Sequence, residues 1–435
     1  MSMKKYFYLF VAAVAMMLTA CSSEEVTNDM GNTSKKVAPL AVGFDTYTSN
    51  ATRAVGGQTD VMTTSTLQST GFGVFGFHTS NADGTSSPIY DGTTTPNFMY
   101  NQQVSYGSSV WTYSPLKYWP NNTLSDSYGA TSTPSDAVSF FAYAPYVATG
   151  SVGNPGITAF SANTATGDPK VSYTVATKPS ESVDLLWGVV PTAWKYKDVA
   201  GNTYNSTGAY NLLPLKNLVK PDVDTRMKFL FLHALSRLGV NVIAAVDQQA
   251  PGGELDSQTK ITIQSVTITE TTPTKLMASS AVLNLNNVSA GVANWESRTI
   301  SSFALTIDDD NELESSLRWG SSKTDTWTNK EGVVTAKEKP LIEGGKYFML
   351  IPTEGVAQLS INIKYTVLTK DVALDGNYSK VDNDITKTVN LQFKNGEAYT
   401  LKLILGMTSV KLDAEVQTWA VQDATPVDLP KNNKN

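Results

Sequence analysis

The sequence predicts an all-β chain, and three observations carry that prediction. Its 435 residues include 30 glycines, 19 prolines and 19 tyrosines among abundant Thr, Ser and Asn, a composition suited to short strands joined by turns. Apolar residues recur with a period of two in several segments. No strand-helix alternation supports a doubly wound sheet. At roughly 150 residues per domain the length fits two to three domains. A single cysteine excludes an intramolecular disulfide framework and a cysteine-cluster zinc site. With 33 basic against 39 acidic residues the net charge is −6, which leaves no basic footprint for nucleic acid.

At the N-terminus Lys4 and Lys5 precede an apolar run over 6–18, the charged and hydrophobic regions of a secretory signal peptide. The run is too short to span a bilayer. It ends in Leu18-Thr19-Ala20-Cys21, the pattern of a bacterial lipobox, so residues 1–20 are expected to be removed and Cys21 to carry lipid. An ordinary signal peptide cut near Ala20 is the competing reading. Several acyl chains, at about 0.8 kcal/mol per buried CH2, hold a protein firmly at a membrane. The polar stretch from Ser22-Ser23-Glu24-Glu25 to Lys36 cannot bury enough apolar surface to fold alone and reads as a tether.

Alternation over 37–45 puts Ala38, Leu40, Val42 and Phe44 on one face of a first strand, with Pro39 confined to an edge or strand start. Residues 46–57 read as a polar loop containing Thr52-Arg53-Ala54. Arg53 is the only arginine before Arg226, an exposed target for an arginine-specific protease. Further strands are expected at 71–77, 137–143, 184–190, 229–246, 261–270, 346–351, 359–368, 387–393, 398–405 and 410–416. The last alternates Val410, Leu412, Ala414 and Val416 against Lys411, Asp413 and Glu415, the sign of a sheet wet on one side. Asn395-Gly396 predicts a tight hairpin between 387–393 and 398–405. The run 229–246 fits one buried strand, favoured by its β-branched residues, or a short helix over 232–238. A composition dip at 216–225, with Pro221, sets the expected boundary between residues 54–220 and 221–435.

Catalytic signatures are missing: there is no nucleophile elbow, metalloprotease helix or phosphate-binding loop. The chain reads as non-enzymatic, without cofactor or metal. His233 lies in an apolar run and reads as a packed histidine, while His78 has no partner evident in the sequence. Asp308-Asp309-Asp310 with Glu312 lacks the glycine and spacing of a calcium loop and reads as a solvated acidic turn. Trp111, Trp119, Trp187 and Trp419 sit among apolar residues and are expected in cores, although exposed rings would favour sugar stacking.

Taken in order along nearly the whole chain, these segments resemble the fimbrillin-like lipoproteins of Bacteroidales, the type V pilins. The resemblance rests on the lipobox at Cys21, the strand before Thr52-Arg53-Ala54, Phe72-Gly73-Val74-Phe75, Leu116-Lys117-Tyr118-Trp119-Pro120 and Phe140-Phe141-Ala142-Tyr143-Ala144-Pro145. It continues through Asp184-Leu185-Leu186-Trp187, the segment from Phe231 to Leu238, Tyr347-Phe348-Met349-Leu350-Ile351-Pro352 and Tyr399-Thr400-Leu401. It implies two tandem transthyretin-like (Greek-key) β-sandwich domains and an outer-membrane lipoprotein precursor at the cell surface. An arginine-specific protease would cut between Arg53 and Ala54. The strand bearing Leu40, Val42 and Phe44 would leave, and a strand of the next subunit would fill its groove. The expected donor is the C-terminal segment, with Val421, Val427 and Leu429 as apolar teeth. Its 16 residues from Ala420 to Asn435 extend to about 53 Å at about 3.3 Å per residue, although Pro426 and Pro430 interrupt a ladder. The implied partners are other fimbrial subunits, the protease and a host or bacterial surface ligand, with a role in adhesion. Two readings compete: a monomeric glycan-binding surface lipoprotein, and a surface hydrolase whose carboxylate pair leaves no fixed spacing.

Overall fold

The computed structural model describes residues 39–48, 62–81, 88–120, 136–191, 196–197, 203–204, 210–221, 226–244, 259–273, 275–308, 339–341, 346–374, 378–406 and 410–418. The first strands are β1 (Phe44–Thr48), β2 (Phe72–Ser80), β3 (Met99–Gly107), β4 (Val110–Thr112), β5 (Asp136–Ala144), β6 (Gly156–Phe160) and β7 (Lys170–Thr174). They continue with β8 (Leu186–Val189), β9 (Tyr196–Lys197), β10 (Thr203–Tyr204), β11 (Leu215–Leu218) and β12 (Met227–His233). One sheet of eight strands runs β1-β12-β8-β5-β2-β3-β4, with β11 beside β5. Within it only β1 and β12 pair in parallel.

Pleating sends alternate side chains to opposite faces. In β12, Met227, Phe229 and Phe231 enter one core, while Leu230 and Leu232 enter another. In β5 the same division separates Val138, Phe140 and Ala142 from Phe141 and Tyr143. Both faces are thus buried, which is why these strands read as nearly unbroken apolar runs. On the first face the sheet curls into a nearly closed barrel whose core includes Leu67, Trp111 and Trp119. Leu67 comes from α1 (Thr64–Thr70), a short helix that composition does not announce. Thr63 and Thr66 satisfy each other's backbone at its start, and Gly71, with φ of 71°, ends it.

The later strands are β13 (Ser236–Ala244), β14 (Thr259–Glu270), β15 (Ala278–Asn284), β16 (Asn294–Ile300), β17 (Ala304–Asp308) and β18 (Lys339–Pro340). β19 (Phe348–Leu350), β20 (Ala357–Lys370), β21 (Tyr378–Leu391), β22 (Glu397–Leu405) and β23 (Val410–Thr418) complete the series. One sheet runs β18-β13-β22-β23 with β19 beside β13, and another runs β17-β14-β20-β21. Both contribute to one core through Val240, Ile263, Ile361, Tyr365, Leu401 and Leu403. A further sheet, β16-β15-β7-β6, joins that same core. β9 and β10 pair separately. Among the described residues no helix is long and apolar enough to cross a membrane.

Four expectations need correction or refinement. The run 229–246 is neither one strand nor a helix: β12 and β13 belong to different sheets and the chain crosses between them at Ala234 and Leu235. Asn395-Gly396 makes no hairpin, because β21 pairs with β20 whereas β22 pairs with β13 and β23. Gly396, with φ of 69°, turns the corner between sheets instead. The first strand continues through Thr46 to Thr48, residues expected in a loop, while Ala41 forms an isolated bridge with Tyr118. Sheet membership also runs past residue 221, since β12 belongs with β1 and β8, and β15 with β7.

Candidate functional site

The first strand occupies a seat made by parts of the chain far apart in sequence. Leu40 packs on the barrel core partly buried, while Val42 and Phe44 are each 1% exposed. The Phe44 ring lies 5.4 Å from Phe140 and 5.5 Å from Tyr113, and it stacks on Phe229 at 5.9 Å. Such aromatic contacts add to simple burial. On one flank β1 pairs in parallel with β12, Phe44 opposite Met227 and Thr48 opposite Phe231. Met227 N–H donates to Gly43 O at 2.7 Å, and the Thr46 hydroxyl donates to Phe229 O at 3.0 Å.

On the other flank, Val42 N–H donates to Lys117 O at 2.8 Å and Trp119 N–H to Leu40 O at 2.9 Å. The Tyr113 hydroxyl donates to Val42 O at 2.7 Å. Burial pushes that hydroxyl's pKa up, so it stays protonated and keeps its role as donor. Arg226 straps the closure: its Nη1 reaches Trp111 O at 3.2 Å and Phe44 O at 3.4 Å, tying β1 to β4. The residues Leu40 to Thr48 therefore complete the barrel wall and fill part of its core. The arrangement holds an extended peptide by backbone hydrogen bonds and apolar pockets, the chemistry of strand addition.

The sequence singles out Leu40, Val42 and Phe44 by alternation, but Tyr113, Arg226 and Thr46 carry no such signal. Arg226 lies 182 residues from Phe44, and nothing in linear spacing announces their contact. Cys21, Arg53, Ala54, Val421, Val427, Leu429 and Trp419 lie outside the described residues.

The histidines have structural partners. His78 Nε2 lies 2.7 Å from Asp136 Oδ1. His233 is buried, as its apolar run suggests, and its Nδ1 donates to Asp184 Oδ2 at 2.8 Å, an oxygen that also accepts from Met62 N–H. Trp111, Trp119, Trp187 and Trp295 are buried. Among the described residues no three His, Cys, Asp or Glu side chains gather as a metal site, and Asp308 belongs to β17.

Over 436 aligned residues, 97% of this chain and 99% of its relative, the sequence is 25% identical to fimbrium subunit Fim1C of Phocaeicola vulgatus. A crystal structure of a fimbrial protein from Bacteroides vulgatus shares the fold, with a TM-score of 0.58 and 23% identity over 88% of this chain and 100% of that one. The chain is thus similar along nearly its whole length to a fimbrium subunit, and its fold is similar to that of a fimbrial protein. No family model matches it.

Proposed function

We propose that the chain is a stalk or tip subunit of a fimbrium, exported as an outer-membrane lipoprotein precursor on Cys21 and matured by cleavage between Arg53 and Ala54. It assembles when a neighbour's strand replaces its own first strand. One observation carries this reading: Val42 and Phe44 fill the barrel core while their backbone completes the wall on two flanks. Each buried side chain of this size contributes about 1.5 to 3 kcal/mol. An emptied seat would also bare a row of backbone groups, a template for another strand. Filling from molecule to molecule is head-to-tail and does not close, so it propagates a fibre.

The C-terminal segment with Val421, Val427 and Leu429 is the proposed donor, and a ligand-binding role in adhesion is proposed for the assembled fibre. Two tandem transthyretin-like sandwiches are proposed as the domain plan, their sheets joined by β7 and β15, which pair across the two halves of the chain. In support, each half opens with a strand that pairs in parallel with a much later one, β1 with β12 and β13 with β22. The glycan-stacking alternative gains nothing from the described tryptophans, which are buried.

The test is Arg53→Ala in cells making the full chain. The expected outcome is an uncut lipoprotein and no polymer, with the unsubstituted protein starting at Ala54 by N-terminal sequencing. Polymer of normal length from the uncut variant would defeat the maturation step.

A further inference from the structure

Two hairpins leave their own sheets and meet each other. β6 and β7 depart from the barrel sheet between β5 and β8, which pair directly, Ala142 opposite Gly188. β15 and β16 depart between β14 and β17, which also pair, Thr269 opposite Ala304. β7 and β15 then join in antiparallel register, from Lys170 opposite Asn284 to Thr174 opposite Ser280. The ladder runs on past both ends, since Leu285 N–H donates to Pro169 O at 3.0 Å and Val175 N–H to Ser279 O at 2.8 Å. Inner residues of this joint, among them Val171, Tyr173, Leu283 and Trp295, lie in one core with Phe141 and Trp187 of the barrel sheet. Polar bonds cross it as well. The Asp168 carboxylate, just before β7, accepts from Asn286 Nδ2 at 3.0 Å, Asn284 Nδ2 at 3.1 Å and the Tyr90 hydroxyl at 3.0 Å. Asn287 accepts from Trp187 Nε1 at 3.3 Å and donates to Leu212 O at 3.0 Å. Asn284 and Asn287 are 5% and 1% exposed, so parting the hairpins strands buried polar groups, which is costly.

Tandem domains joined by one stretch of chain move against each other by default. Here the chain passes from the barrel sheet to the later sheets at Ala234 and Leu235, yet Leu40–Asn435 is one compact unit. We propose that the two hairpins form a clasp, closed by Asp168 and Asn287, that makes the barrel and the later sheets a single unit of unfolding. In a fibre under tension such a subunit neither bends nor opens at the crossing. That consequence rests on the head-to-tail assembly proposed above, whereas the coupling itself does not.

Native-state hydrogen exchange on the full chain before cleavage tests the coupling, because a destabilising change lowers protection only within the cooperative unit that contains it. Ile361 is 0% exposed in β20, a strand that pairs with β14 and β21 and with nothing in the barrel sheet. Ile361→Ala is expected to speed exchange of the most protected amides of β5 and β12 by the same factor as those of β20 and β22, about thirtyfold or more. In a chain that also carries Asp168→Ala and Asn287→Ala, β5 and β12 are expected to respond to Ile361→Ala by a clearly smaller factor than β20 and β22 do. Asn286→Ala, which removes one of the three bonds to Asp168, gives the same readout in a chain less burdened by substitution. Acceleration confined to β20 and β22 in the otherwise unsubstituted chain overturns the proposal, as does undiminished transmission through the doubly substituted joint. Neither result depends on polymer forming, so the strand-exchange reading is judged separately, by Arg53→Ala.

Discussion

Phe44 touches four aromatic rings, those of Phe72, Tyr113, Phe140 and Phe229, so its truncation opens a cavity that no neighbour can easily fill. Phe44→Ala is expected to destabilise the full chain by about 3 to 5 kcal/mol, read by urea denaturation. A loss near zero would show that the ring does not pack in solution. At Glu296, burial raises the pKa, but hydrogen bonds from Lys170 at 2.7 Å and Asn284 at 2.8 Å outweigh it and hold the carboxyl below its ordinary 4.5. A depressed carboxyl contributes stability that is complete above its unfolded value and is lost as pH falls through its folded one. Glu296→Gln is therefore expected to flatten the acid side of the stability profile, below pH 4.5, in thermal melts across pH. An unchanged acid slope would contradict that role.

Strand existence was readable in the sequence wherever one chemistry dominated. Phe140 to Tyr143 and Leu401 to Leu405 announce themselves by apolar content, and both lie in strands. Partnership was not readable. Gly396 has the positive φ that its sequence context predicts, yet its neighbours β21 and β22 go to different sheets, because a turn residue fixes local backbone and not which edges meet. Likewise α1 owes its place to a single buried leucine and a threonine cap, too little to register as helical periodicity. The seat of the first strand was half legible: alternation gives the occupant's apolar face, but its wall is assembled from β12 and 117–119, brought together only by the closed sheet. Close approach of β8 to its neighbours offers a test at this scale. A Cβ on Gly188 would lie 2.8 Å from Phe229 Cδ1 and 3.0 Å from Ala142 Cβ. Gly188→Ala is expected to cost about 1 to 3 kcal/mol through overpacking, whereas at Gly107 nothing lies within 4 Å of an added Cβ and the same change should be nearly neutral. Equal melting temperatures for the two variants would refute the packing argument.

For the molecule as a whole, cutting after Arg53 should bare the inner faces of Phe72, Phe140 and Phe229, now covered by Phe44. Binding of an anilinonaphthalene dye, which reports exposed apolar surface, is expected to rise on cleavage and to fall again as polymer forms. Dye signal that stays flat through both steps would mean that the interior never opens. The two-sided bonding of Leu40 to Thr48 has a last consequence for timing. An outermost strand can be peeled one bond after another, but a stave gripped on both sides comes free only when the wall springs apart. The lifetime of the nicked but unassembled protein would then follow the rate of that breathing rather than any affinity, giving secretion time to finish before growth begins.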